Sequence, residues 1–260
     1  MPAAMLAYED TGIGDPLVLL HAFPFDRRFW HSVTPAFVHA GFRVIAPDLR
    51  GFGASPAGDA PWTLLDQAHD VAALLDRLAA PQAHVLGLSM GGYVALALVA
   101  ALPQRVNKLV LAHTKAAPDT PQAKAGRQQG IHIVQTQSVD AFADGMLPKM
   151  LSPHTSEETR SKVRALMNQP ADNIITALRA LRDRPDQQPE LSRISAPTLV
   201  LTGAEDAIST PMENQTMAAE IPRAQVEVVG GAAHLSNFEA PDVFISAVVS
   251  FLGASPAEAV

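Results

Sequence analysis

The sequence predicts an α/β fold, a mostly parallel sheet of about seven strands with helices on both faces. Three observations predict it. Short apolar runs without polar alternation, suited to strands buried on both faces, recur along the chain. Stretches with apolar residues at helical spacing separate them. One G-x-S-x-G motif lies where such a run meets such a stretch.

Few residues precede the first apolar run, and they leave room for one strand near residues 5–9. Residues 17–21 (LVLLH) form that first run, and 43–47 (RVIAP), 84–88 (HVLGL), 108–112 (KLVLA) and 198–202 (TLVLT) resemble it. Residues 225–229 (QVEVV) are mixed and suit a sheet edge. Leu64, Ala68, Val71, Leu75 and Leu78 recur at helical spacing before Pro81 stops the pattern. Residues 90–102 are rich in Ala and Leu and end at Pro103; residues 241–252 form an amphipathic pattern closed by Gly253. Residues 114–194 contain no strand-like run. They are rich in Gln, Arg, Asp and Pro, and Ile174, Leu178 and Leu181 mark an amphipathic helix. A segment of about eighty residues is too long for an ordinary connection. It is read as a helical cap inserted into a core made of residues 1–113 and 195–260. Residues 254–260 read as a frayed tail.

Composition narrows the function. The 260 residues are 48% hydrophobic and 17% charged, with net charge -7. A mildly acidic chain has no electrostatic reason to bind nucleic acid or an anionic membrane. The absence of cysteine excludes disulfides, a thiol nucleophile and thiolate metal sites. The N-terminal residues lack a basic start followed by an apolar run, and the most apolar later stretch is too short to span a bilayer. The expectation is a cytoplasmic protein with a small-molecule substrate and neither membrane nor nucleic acid as partner; self-association stays open.

The motif Gly87-Leu88-Ser89-Met90-Gly91 carries the chemistry. A nucleophile there occupies a sharp turn that lifts its oxygen above the sheet, while the glycines let helix and strand approach. A serine hydroxyl is a weak nucleophile and needs a base. Of nine histidines, His234 follows the last apolar run in the loop GGAAH, before the terminal helix. The orienting acid should follow a strand between the two. Asp206 does so in the turn GAED, with Glu205 beside it. The catalytic set is therefore Ser89, Asp206 and His234. The tetrahedral oxyanion needs N–H donors: Met90, the residue after the nucleophile, and Phe23, in the loop HAFPF after the first apolar run. His21 reads as structural, and Asp48, Arg50, Gly51 and Gly53 as turn-stabilising.

LHAFPFDRRFW, RVIAPDLRGFGAS, VLGLSMGGYVAL, LVLTGAEDAISTP and GGAAHLSNFEAPDVF, in that order, resemble the α/β-hydrolase superfamily over most of the chain outside the cap. The Ser89-Met90-Gly91-Gly92 elbow and Phe23-Pro24 loop are similar to those of small bacterial serine esterases, cofactor-free haloperoxidases (perhydrolases) and 3-oxoadipate enol-lactonases. The resemblance implies the α/β-hydrolase fold, the triad, and a site with neither metal nor cofactor. His21-Ala22 stands where the family usually has His-Gly, and the family's usual opening hairpin is shortened to one strand. Some relatives place the acid after the strand at 108–112, which makes Asp119 an alternative acid.

Phe23, Phe25, Trp30, Met90 and, from the cap, Ile131, Ile133, Met146 and Leu147 are apolar pocket candidates. His113, at the end of KLVLAH, is expected to line the pocket or anchor the cap. The expected reaction is cleavage of carboxylic esters of small, mainly apolar acyl groups through an acyl-enzyme on Ser89. The same triad could serve an enol-lactonase, or a perhydrolase in which hydrogen peroxide replaces water. A non-catalytic ligand- or partner-binding protein is the alternative of another class. Dehalogenase and epoxide hydrolase chemistry is disfavoured because a serine, not a carboxylate, stands at the elbow. A dinucleotide enzyme is disfavoured because no G-x-G-x-x-G follows the first strand.

Overall fold

The structure, a computed structural model, describes residues 3–58 and 61–253. The expected tail at 254–260 lies outside the described residues. Seven strands form one sheet: β1 (Tyr8–Thr11), β2 (Asp15–Leu20), β3 (Phe42–Pro47), β4 (Ala83–Leu88), β5 (Val106–Ala112), β6 (Thr198–Gly203) and β7 (Ala224–Val229). Their spatial order is β1-β3-β2-β4-β5-β6-β7. Only β1 runs antiparallel, against β3; the other pairs are parallel. The first strand lies slightly later than residues 5–9. Its ladder starts at Tyr8 opposite Pro47, and the Ala7 carbonyl accepts from the Asp48 N–H at 2.8 Å. The mixed run at 225–229 lies in the exposed edge strand β7.

Both faces of the sheet are covered, which explains the unbroken apolar runs. Strand side chains alternate between faces. Val18 and Leu20 therefore join one core cluster, with α2 (Leu64–Arg77) and α3 (Met90–Ala101), while Leu17 and Leu19 join the other, with α1 (Thr34–His39) and α10 (Pro241–Leu252). Four helices lie between β5 and β6: α4 (Pro121–Thr136), α5 (Val139–Met150), α6 (Glu157–Leu166) and α7 (Ala171–Arg182). Local signals start them. The Thr120, Ser138 and Ser156 side chains accept from the N–H groups of Ala123, Ala141 and Thr159. Such caps contribute about 1 kcal/mol each. Buried Gln169 ties this segment to the sheet loops. Its amide oxygen accepts from the Gly53 N–H and its nitrogen donates to Asp26, each at 3.0 Å. After β6 come α8 (Pro211–Ala219) and, beyond β7, the short α9 (Ser236–Glu239).

Candidate active site

The site stands at the carboxyl ends of the parallel strands, where open α/β sheets bind ligands. Ser89 lies between β4 and α3 with φ 54 and ψ -111, a left-handed conformation that costs a non-glycine residue on the order of 1–3 kcal/mol. Neighbours hold it there. Its N–H donates to the Ala112 carbonyl at 2.9 Å, and its own carbonyl accepts from the Gly92 N–H and the Thr114 hydroxyl, each at 2.9 Å. Glycine is sterically required around it: a Cβ on Gly91 would lie 2.0 Å from the Leu20 carbonyl oxygen.

His234 reaches Ser89 from the loop after β7. Its Nε2 lies 2.9 Å from Ser89 Oγ and its Nδ1 2.8 Å from Asp206 Oδ2. The His234 N–H donates to the Met150 carbonyl at 3.1 Å, which fixes the loop against α5. Asp206, in the turn after β6, is buried and fully engaged. Oδ1 accepts from the N–H groups of Ile208 and Ser209, and Oδ2 accepts from the Ser209 hydroxyl at 2.8 Å as well as from His234. Burial by itself would raise the Asp206 pKa. The charge of His234 and the hydrogen bonds from His113 and His234 overcome this and hold the carboxyl well below the usual carboxylate range. An ionised Asp206 that accepts from His234 Nδ1–H leaves Nε2 free to take the Ser89 proton.

Rival acids are committed elsewhere. Glu205 Oε2 accepts from the Ser152 hydroxyl at 2.6 Å. Asp119 pairs with Arg184 and, at 3.1 Å, with Arg127. His21 Nδ1–H donates to the Ala22 carbonyl at 2.9 Å, and its Nε2 accepts from the Leu49 N–H at 2.9 Å, a bracing role between two loops. Asp48 accepts the N–H groups of Arg27 and Ala54, each at 2.8 Å, and Arg50 pairs with Asp70. Ala22 is not among the positive-φ residues, so the loop does not need the family's glycine there.

A cavity of about 430 Å³ opens over Ser89 and His234. Phe23, Met90 and Tyr93 line it from the sheet side, and helical periodicity selects the rest. On α4 the lining residues include Ala123, Gly126, Arg127, Gly130 and Ile133; on α5 they are Phe142, Gly145, Met146 and Lys149. Leu178, Leu181 and Ile208 complete the apolar wall. Among the described residues, the N–H groups of Phe23 and Met90 donate to no protein acceptor.

Four expected pocket residues lie elsewhere. Phe25 and Trp30 are fully buried with Phe29 in the core on the α1 and α10 face of the sheet, the ring centroids of Phe29 lying 4.8 and 4.9 Å from theirs; the 3-10 turn Arg27–Trp30 folds Trp30 inward, and Phe25 packs beside it from just before the turn. Ile131 packs in the core, one residue off the pocket face of α4. Leu147, likewise off the α5 face, packs against the other cluster. His113 is also outside the cavity, buried behind Asp206, with Nδ1 3.1 Å from Oδ2. Tyr93, one helical turn after Ser89, and Phe142, Gly145 and Lys149, which share a helical face with the expected Met146, were missed in the sequence, although their spacing was there to find.

Among the described residues, one group of three side chains has the spacing of a metal site: His113, Asp206 and His234. Its donor chemistry does not suit a cation. Asp206 Oδ2 already accepts from both imidazoles, so the facing nitrogens carry protons rather than lone pairs. Among the described residues no helix is long and apolar enough to cross a membrane.

Known proteins share this arrangement of elements. A family model described as the alpha/beta hydrolase fold matches residues 15–241. The chain is 33% identical to 3-oxoadipate enol-lactonase 2 of Acinetobacter baylyi, over 94% of this chain and 91% of that protein. It is 28% identical to a Mycobacterium tuberculosis protein provisionally named non-heme bromoperoxidase BpoC, over 95% and 97%. A thermophilic esterase from Thermogutta terrifontis, solved with malate bound, superposes with a TM-score of 0.91 at 36% identity, over 96% of this chain and 93% of that one. With its sheet order, its strand–Ser89–helix elbow and these relatives, the chain belongs to the α/β-hydrolase family.

Proposed function

We propose that the protein is a serine hydrolase that cleaves carboxylic esters of small, mainly apolar acyl groups. The observation that carries this reading is the continuous chain from Ser89 Oγ through His234 to Asp206, at 2.9 and 2.8 Å, opening into a mainly apolar cavity. The esterase and lactonase named among its relatives support ester-bond chemistry.

His234 Nε2 takes the Ser89 proton as Oγ attacks the ester carbonyl carbon. The unpaired N–H groups of Phe23 and Met90 receive the oxyanion, each contributing on the order of 3 kcal/mol. His234 then returns the proton to the leaving alkoxide, and the acyl group stays on Ser89. Water, deprotonated by His234, attacks the acyl-enzyme and releases the acid. Asp206 stays ionised throughout and stabilises the imidazolium.

A p-nitrophenyl ester series tests the acyl preference. The expected result is highest kcat/KM for short unbranched acyl chains, falling once the chain outgrows the cavity. A dicarboxylate-derived lactone turning over faster than every simple short-chain ester would overturn the apolar preference.

One observation favours a second reading, a lactone or ester that carries a carboxylate. Arg127 and Lys149 project from the pocket faces of two neighbouring helices, and among the described residues Lys149 has no ion-pair or hydrogen-bond partner. Arg127 shares Asp119 with Arg184, so the rim carries excess positive charge. On this reading Lys149→Gln lowers kcat/KM for a hemisuccinate ester about tenfold, the worth of one partly exposed charge contact, and leaves neutral esters within about twofold. Equal effects on both substrates would dismiss the carboxylate reading.

A further inference from the structure

The triad acid has a second histidine on it. His113 is the first residue after β5, with φ 48, and its N–H donates to the Leu201 carbonyl of β6 at 2.7 Å. Its side chain is completely buried. Nδ1 lies 3.1 Å from Asp206 Oδ2, and Nε2 lies 2.6 Å from Ser236 Oγ at the start of α9. The two bonds select one tautomer. An ionised carboxylate only accepts, so His113 Nδ1 carries the proton, and Nε2 then accepts from the Ser236 hydroxyl. We propose that neutral His113, held in this tautomer by the Asp206 carboxylate and oriented by the Ser236 hydroxyl, is a positioning residue that orients Asp206 and tempers its pull on His234.

The position supports this role. Three consecutive residues at the end of β5 each brace the site. Ala112 receives the Ser89 N–H, His113 holds Asp206, and Thr114 donates to the Ser89 carbonyl. The left-handed backbone at His113 turns its imidazole toward β6, whereas continued extension would place it on a face of the sheet. Desolvation lowers the His113 pKa against the opposing pull of Asp206, which keeps the ring neutral and the Nδ1–H bond intact at ordinary pH. Asp206 Oδ2 thus divides its charge between two imidazoles and the Ser209 hydroxyl. Without His113 the carboxylate would interact more strongly with His234 and favour its imidazolium.

The inference rests on the reading of Ser89, His234 and Asp206 as the reacting chain. Two measurements keep the two apart. The first is the pH profile of kcat/KM on a p-nitrophenyl ester for wild type, His113→Leu and His113→Asn. Other charged groups near His234 and Asp206 are Glu205, Glu239, Lys115, Arg127 and Lys149, and all are unchanged in these variants. His113→Leu is expected to lose about tenfold or more in kcat with KM nearly constant, as misplaced catalytic groups do, and its acid limb should move up by about half a pH unit or more. His113→Asn keeps an amide N–H where Nδ1–H stood, and should return the limb to the wild-type position. An acid limb fixed in both variants, or His113→Asn behaving like His113→Leu, overturns the proposal. The second measurement serves even if His113→Leu does not fold. Imidazole nitrogen NMR of the wild type is expected to show His113 neutral with the proton on Nδ1, and Ser236→Ala to shift the Nε2 resonance while the proton stays on Nδ1. A wild-type His113 protonated on Nε2, or an Nε2 resonance unmoved by Ser236→Ala, overturns it equally. An inactive wild type with the expected tautomer would count against the hydrolase reading and not against the hydrogen-bond lock.

Discussion

Replacing Ser89 with alanine is expected to lower kcat on a p-nitrophenyl ester by roughly 10⁴- to 10⁶-fold and to leave the fold unchanged. Among the described residues the Ser89 side chain makes one hydrogen bond, to His234 Nε2. The elbow is instead held by backbone bonds to Ala112 and Gly92 and by the Thr114 hydroxyl, all of which alanine keeps. Alanine also tolerates positive φ no better or worse than serine, so the strain at φ 54 is the same in both proteins. Loss of turnover should therefore come without loss of thermal stability. Activity assays beside a thermal melt check both halves, and a variant that retained wild-type turnover would remove Ser89 from the chemistry.

Asp206→Asn is expected to lower kcat by about 10⁴-fold, and Glu205→Gln to change it by less than about twofold. The asymmetry follows from the bonds. Both Asp206 oxygens face donors only: Ile208 and Ser209 N–H at Oδ1, and His234, His113 and the Ser209 hydroxyl at Oδ2. An asparagine must present its NH₂ to one of these groups. If the NH₂ replaces Oδ2, His234 turns to the tautomer protonated on Nε2, which cannot accept the Ser89 proton. If it replaces Oδ1, the turn at 206–209 loses two backbone bonds and the carboxamide shifts. Glu205 meets none of these groups, since its carboxylate holds Ser152. Steady-state rates of the two variants, compared with their circular dichroism, decide between neighbouring acids that the sequence alone leaves adjacent.

What was legible in the sequence and what was not divide along the range of the interaction. The sheet was readable because each parallel strand announces itself locally as an apolar run, and even the edge character of β7 showed in the polar residues of QVEVV. That Ser89, Asp206 and His234 meet was readable because each follows a strand in a short loop, and a shared sheet then delivers all three to the same end. The pocket depended on helix phase. Ile133 and Met146 face the cavity while Ile131 and Leu147, one or two residues away, do not, and apolar composition cannot separate them. Phe25 and Trp30 misled for a related reason. They stand near Phe23 in the chain, but both pack on the other core cluster against Phe29, Trp30 by way of a 3-10 turn that also brings it against Phe244. His113 was hardest to read. Its placement depends on a positive φ at the strand end and on a loop over ninety residues away.

The proposed reaction depends on a covalent acyl-enzyme at Ser89, which can be trapped. Wild-type protein treated with a fluorophosphonate should gain the mass of one phosphonyl group. Digestion should place that mass on the peptide containing Ser89, and neither heat-denatured protein nor Ser89→Ala should take it up. An active wild type that stays unlabelled, or is labelled stoichiometrically at another residue, would contradict the claim.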